Sequence, residues 1–199
     1  MAFDANEVRV AITGEVKVAP VGTAAPTTYK SVLDPAFKGL GYNNDEGVVE
    51  SYEESTESLR AWQNNVEVRT VTTESDARLA FTLIQTNKST LELFHKGSVI
   101  VSDGGDGFKL PVIVPTPDPR SFVFDVIDGD EHIRIYAPVA EVIERGEIEY
   151  VGGGAVSYNV TLSCKPIMMT VERGNGPEIL PVPFLKFSGS PAWGPVESA

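Results

Sequence analysis

The chain has 199 residues, with 28 Asp and Glu against 16 Lys and Arg, a formal net charge of −12 and a single cysteine. That balance excludes a protein that grips nucleic acid through clustered Lys and Arg, and one thiol neither closes an internal disulfide nor builds a thiolate zinc site. A hydrophobic share of 42% excludes a disordered acidic chain and is enough for one domain with a full core.

Residues 7–18 read as an N-terminal strand with Val8, Val10 and Ile12 on one face. The first stretch also carries Asp4, Glu7, Arg9, Glu15 and Lys17 without an apolar run, unlike a signal peptide. With no run of about 18 apolar residues anywhere, the expectation is a chain made in a cytoplasm and not inserted in a membrane. Residues 19–30 read as a loop. The most acidic run follows at residues 43–57, with Asp45, Glu46, Glu50, Glu53, Glu54 and Glu57 and no Lys or Arg. Two readings of this run stand side by side. One is a solvated loop. The other is a long loop that reaches a partner subunit, anchored by Tyr42, Tyr52 and Trp62, whose side chains combine large contact area with a polar tip.

Residues 66–73 and 77–84 read as a strand pair joined at Glu74-Ser75-Asp76. The pattern then changes. Residues of about 87–96 predict one short α-helix, with Thr86 as N-cap, Ser89 and Glu92 as an alternative capping box, Leu91, Leu93 and Phe94 on its apolar face, and Gly97 closing it. Residues 102–120 are irregular. Residues 121–137 predict a β-hairpin that turns at Asp128-Gly129-Asp130. The strand at 156–164 is the clearest of all, since Val156, Tyr158, Val160, Leu162 and Cys164 alternate with polar residues. Residues 174–199 hold many Gly and Pro and read as an extended arm, appended to a β domain over residues 1–173. The apolar Ile179, Leu180, Phe184, Leu185, Phe187 and Trp193 in that arm imply that it lies against its own domain or a neighbour.

Chemistry-bearing patterns are sparse. Asp103-Gly104-Gly105-Asp106 and Asp128-Gly129-Asp130-Glu131-His132 lack the alternating ligands and twelfth-position glutamate of an EF-hand loop and read as turns. Cys164 falls in phase with the apolar face of its strand, as a small core residue. No Gly-x-Ser-x-Gly or phosphate loop occurs, His95 and His132 have no catalytic context, and 28 acids nominate no particular pair for acid–base work. The expectation is a non-enzymatic protein without cofactor or metal.

Several short stretches, taken in order, carry a resemblance. They are Glu-Val-Arg-Val-Ala-Ile-Thr-Gly at 7–14, Val-Ala-Pro-Val-Gly-Thr-Ala-Ala-Pro-Thr at 18–27, Leu-Gly-Tyr-Asn-Asn-Asp-Glu-Gly at 40–47, Arg-Ala-Trp-Gln-Asn at 60–64, Phe-Thr-Leu-Ile-Gln-Thr-Asn-Lys at 81–88, and Arg-Ser-Phe-Val-Phe-Asp-Val-Ile-Asp-Gly at 120–129. Together, over about residues 5–165, they resemble major tail tube proteins of long-tailed, siphovirus-type bacteriophages, above all those of actinobacteria.

The resemblance implies a mainly β, antiparallel sandwich or barrel-like tail tube fold with one short helix and long loops. It implies hexameric rings that stack into a hollow virion tail, with the tape measure protein in the lumen, tail terminator and distal tail proteins as further partners, and DNA as a non-sticking cargo. It places an inter-subunit loop on about residues 42–65. Tyr42, Tyr52, Leu59 and Trp62 are the expected contacts, with Phe184 and Trp193 from the arm. A tube protein of a contractile tail or a related secretion system, an acidic β-sandwich module on a virion surface, and a hydrolase remain as alternatives. Under the tube reading acids should outnumber Lys and Arg on the lumen face.

Overall fold

Side-chain alternation fixes which face of each strand turns inward, and here nearly every inward face meets a single core. The computed structural model describes residues 8–173 and 176–189. In chain order the elements are β1 (Thr13–Pro20), β2 (Lys38–Gly39), β3 (Asn43–Arg60), β4 (Glu67–Leu83), α1 (Lys88–Phe94), β5 (Val101–Ser102), β6 (Phe108–Lys109), β7 (Arg120–Asp128), β8 (Glu131–Arg145), β9 (Tyr158–Cys164), β10 (Ile167–Arg173), β11 (Gly176–Val182) and β12 (Leu185–Gly189).

The main sheet runs β2-β1-β7-β8-β9-β4-β3, antiparallel throughout. It rolls around its own apolar face. Val16 and Val18 of β1, Phe122 and Phe124 of β7, Tyr158, Val160 and Leu162 of β9, and Leu79, Phe81 and Leu83 of β4 share one buried cluster. The Phe81 and Phe124 rings meet edge to face at 5.5 Å although their strands are not sheet neighbours, so this contact crosses the interior.

The two ends of that strand order are consecutive in the chain. β2 hydrogen-bonds to β1, and three residues later β3 pairs with β4. Between them Leu40 N donates to Val16 O at 2.9 Å, and Tyr42 O accepts from Ile84 N at 2.9 Å. Residues 38–43 therefore close the sheet into a barrel-like body. Gly41 in this closure has φ +98°, and a Cβ there would meet the Gln85 side chain at 2.4 Å. Both facts require glycine.

The helix is fastened to the same closure. Its N-cap is Asn87, not Thr86 as the sequence pattern predicts: Asn87 Oδ1 accepts from Thr90 N at 2.9 Å, while the Thr86 hydroxyl meets the Tyr158 hydroxyl at 3.0 Å. Asn87 Nδ2 and Thr90 Oγ1 both donate to the carbonyl of Leu40, at 2.7 and 2.8 Å. A seven-residue helix would not hold alone, and here Leu91, Leu93 and Phe94 bury against the sheet.

The outer face of β1, β7 and β8 is also covered. Ala19, Phe37, Val123 and Tyr136 form a second cluster, packed by Leu33 and Ala36 of the preceding loop and by Leu185 and Phe187 of β12. Beside it, buried Asp125 pairs with Arg134 (Nε–Oδ1 2.6 Å), and Arg134 Nη1 donates to the Ser31 carbonyl at 2.7 Å, pinning the loop over the sheet.

Three expectations are corrected. Residues 43–57 are not a loop but most of an 18-residue strand. Residues 66–73 and 77–84 do not pair with each other; they form one strand, β4, whose partner is β3, and the chain turns at 61–66 instead. Polarity at 74–76 marks solvent on both faces of a ribbon, not a turn. Residues 176–189, read as irregular, form β11 on β10 and β12 on β8. Two smaller differences remain: β1 starts at Thr13, and the small β5–β6 pair extends from Val101 into the stretch 102–120 read as irregular, its turn capped by Asp103 accepting from Gly105 N at 2.8 Å.

One ion cluster joins the helix end to the sheet. Glu141 accepts from Lys165 at 2.8 Å and Lys96 at 2.7 Å, and Lys165 followed by Lys96 holds its carboxyl down to about 2. Lys165 is 53% exposed, so solvent and salt screen its share, and the Lys96 contact is the more durable half. A carboxylate with a lowered pKa stabilises the fold above its unfolded value of about 4.5 and loses that contribution as pH falls through about 2. Glu141→Gln is therefore expected to destabilise the protein by about 1–3 kcal/mol near pH 7. Thermal melts of the two proteins at a series of pH values should converge near pH 2; a gap that stays constant with pH contradicts this.

Candidate assembly surface

β3 and β4 are longer than the body they belong to. β9 covers β4 only from Leu83 back to Ala77, which pairs with Cys164 at the last residue of β9. Beyond that point β3 and β4 continue as a two-stranded ribbon. It is bulged near Ser55/Thr56 and near Leu59/Arg60. Ala61 N donates to Val66 O at 2.8 Å across the tip, where Asn64 (φ 60°) and Asn65 (φ 53°) take the left-handed conformation that Asn tolerates.

Apart from Ala61, every residue from 51 to 75 is exposed. Trp62 at the tip is 97% exposed and Leu59 63%, with Val66, Val68 and Val71 close by. The register sets Glu57 opposite Val71 and Leu59 opposite Arg69, so Leu59 and Val71 lie on one face. A two-stranded ribbon wetted on both faces is marginal in water. It also offers two unpaired strand edges, a ready template for another chain.

The base of the ribbon is held on both faces. On one, Arg78 pairs with Glu53 at 2.7 Å and Asp76 at 2.8 Å, and Ser163 Oγ donates to Asp76 at 2.8 Å. Burial pulls the Asp76 carboxyl upward, but the bonds from Arg78 and Ser163 outweigh it and hold the group below its usual range. On the other face, the Tyr52 ring lies 6.0 Å from Phe184, and Glu50 accepts from Lys186 at 2.7 Å and from the Tyr52 hydroxyl. Burial of that hydroxyl, and then the Glu50 carboxylate beside it, push Tyr52 up to about 12 although its ring is largely exposed.

The sequence-predicted residues separate into groups. Leu59 and Trp62 sit toward the tip, with Glu53, Glu54 and Glu57 along the ribbon. Tyr52, Glu50 and Phe184 meet at its base. Tyr42, 77% exposed, lies apart from these on the barrel closure, where with Asp45, Glu46, Ile12 and Asp125 it lines a groove of about 420 Å³. Trp193 lies outside the described residues. Sequence reasoning missed Val49, Val66, Val68 and Val71, and it missed Arg78, whose role depends on a register that no local pattern encodes. Among the described residues no group of three or more His, Cys, Asp or Glu is placed to hold a metal, and no helix is long and apolar enough to cross a membrane.

The described residues thus form a closed β body with a projecting, partly apolar ribbon. A family model described as phage tail tube protein matches residues 1–165. The chain belongs to this family, and its role is structural, in the tail tube of a phage virion. No curated protein matches the chain. The family match ends just before β10, so β10, β11 and β12 lie beyond it.

Because the ribbon side chains touch little of the body, they contribute little to folding. Trp62→Ala is expected to change stability by no more than about 0.5 kcal/mol, or about 2 °C in melting temperature for a chain of this size. Phe81→Ala in the core should cost about 3–5 kcal/mol. Calorimetry of the two variants checks the contrast, and a large loss at Trp62 contradicts it.

Proposed function

We propose that the protein is the major subunit of a non-contractile tail tube. Copies associate into hexameric rings, and the rings stack into a hollow cylinder. The lumen houses the tape measure protein during assembly and conducts DNA at ejection, and tail terminator and distal tail proteins meet the ends of the tube. The projecting ribbon carries this reading: it exposes apolar side chains and strand edges at the far end of a body that is otherwise closed. Residues 1–173 act as the tube domain and 174–199 as an arm.

Tyr42, Tyr52, Leu59 and Trp62 are the proposed inter-subunit contacts, with Phe184 and Trp193 from the arm. A stable contact of this kind buries more than about 1,000 Å², and a Trp at its centre commonly contributes about 2 kcal/mol or more. The acidic residues Asp45, Glu46, Glu50, Glu53, Glu54 and Glu57 add to a net charge of −12 per copy that discourages adhesion of DNA. Salt screens repulsion beyond roughly 8–10 Å, so only acids near the lumen act on the cargo.

Negative-stain microscopy at rising protein concentration is expected to show rings or tubes for the natural chain and only folded monomers for Trp62→Ala. Normal tubes from that variant would sink the assignment of Trp62. Purified tubes are further expected not to retain duplex DNA in a gel-shift assay at about 50 mM salt, where a basic lining would bind it strongly. Retention would refute the non-sticking lumen.

A further inference from the structure

The projecting ribbon is a lever. From Tyr52 to Trp62 it spans about 10 residues at about 3.3 Å each, roughly 30 Å, so a swing of roughly 10° at its base carries the tip about 5 Å. Pre-organised interfaces hold their backbone to within about 1 Å. The angle at the base therefore decides whether the tip residues arrive where a neighbour needs them.

The ties at the base come from two parts of the chain. Arg78, Glu53, Asp76 and Ser163 all lie within the stretch that matches the family. Phe184 and Lys186, which grip Tyr52 and Glu50 on the opposite face, lie beyond it. These two residues are held in place by β12. β7 occupies one edge of β8 from Glu131 to Ala140, and β9 takes the other edge only at residues 140–145. β12 fills what remains, pairing with β8 from His132 to Tyr136. Its alternation splits its duties. Leu185 and Phe187, half-buried, pack against the outer cluster, while Lys186 turns to the inner side and reaches Glu50. Gly189 ends the strand so close to the Tyr29 ring that a Cβ there would meet it at 2.0 Å. The segment is thus anchored to the body on one face and holds the ribbon with the other.

We infer that β12, with Phe184 and Lys186, is a clip that sets the angle of the ribbon and so prepares the monomer for assembly with further copies. The assembly role rests on the tube reading above. Without the clip, the inner face of the ribbon base loses its ring contact and its ion pair, and only the Arg78 side restrains it.

The test uses the full chain with spin labels at Gln63→Cys on the tip and Asp130→Cys at the exposed β7–β8 turn; the native Cys164 is buried, and burial pushes its thiol up to about 12, so it stays unlabelled. The expected result is a narrow distance distribution in the natural monomer, a broad one in Phe184→Ala with Lys186→Ala, and a narrow one again in the charge swap Glu50→Lys with Lys186→Glu. In unlabelled protein Lys186→Glu, which keeps the proposed contact Phe184, should raise the concentration at which tubes appear by at least about tenfold, the cost of a contact that is no longer pre-organised. Lys186→Glu alone, a change at a half-exposed position, gives the same broadening if the alanine pair fails to fold. A distribution unchanged in width overturns the clip, and a broad one with an unchanged onset of tubes overturns its role in assembly. If the natural chain forms no tubes while the distribution still broadens, the tube reading falls and the clip stands.

Discussion

The structure depends on the closure of its sheet by residues 38–43. Without that segment the edge of β1 at Val16–Val18 and the Leu83–Ile84 end of β4 would both lose their backbone partners. The closing segment removes both costs with few bonds: Lys38 and Leu40 toward β1, Tyr42 and Asn43 toward β4. The Leu40 carbonyl then accepts from two helix side chains, so the only α-helix among the described residues is docked by the same residues that close the barrel. Gly41 is the point of least tolerance, because the turn between the two pairings needs a positive φ beside Gln85.

Closure also decides where strand edges remain. A barrel hides its edges by pairing each with the next strand. β12 extends this economy by covering the part of β8 that β9 is too short to reach. The ribbon escapes it, since β4 runs on after β9 stops opposite Ala77 and β3, the end strand, pairs with β4 alone. The same register that closes the body thus leaves Leu59, Trp62, Val66, Val68 and Val71 exposed on one two-stranded projection with both of its edges open.

Much of the body was legible in the sequence, because inward-facing strands advertise their period. Tyr158, Val160, Leu162 and Cys164 alternate in the sequence and are buried in the structure. The hairpin of β7 and β8 and the single helix closing near Gly97 were legible for similar reasons. The ribbon was not. A strand with water on both faces has no apolar period to read, so residues 43–57 looked like a loop and Glu74-Ser75-Asp76 like a turn. β12 shows a different failure: Leu185-Lys186-Phe187-Ser188 does alternate, but the surrounding prolines outweighed so short a signal. Pro177 and Pro181 are tolerated in β11 because a strand in a two-stranded hairpin has one edge free of ladder bonds. Tyr42, Tyr52 and Trp62 stood out by residue type and Leu59 only through the resemblance, while their distribution between closure, base and tip followed only from the register.

The net charge of −12 on each copy opposes self-association, and magnitudes decide the contest. Two unit charges about 8 Å apart in water repel by about 0.5 kcal/mol before screening, and physiological salt reduces that further at about one Debye length. Glu53, Glu54 and Glu57 on the ribbon are exposed and fall in this weak regime, and Arg60 and Arg69 lie on the same projection to answer part of it. Burying one Trp removes about 150–250 Å² from water, which at about 25 cal/mol per Å² is about 4–6 kcal/mol as an upper bound. A single tip residue therefore outweighs several surface repulsions.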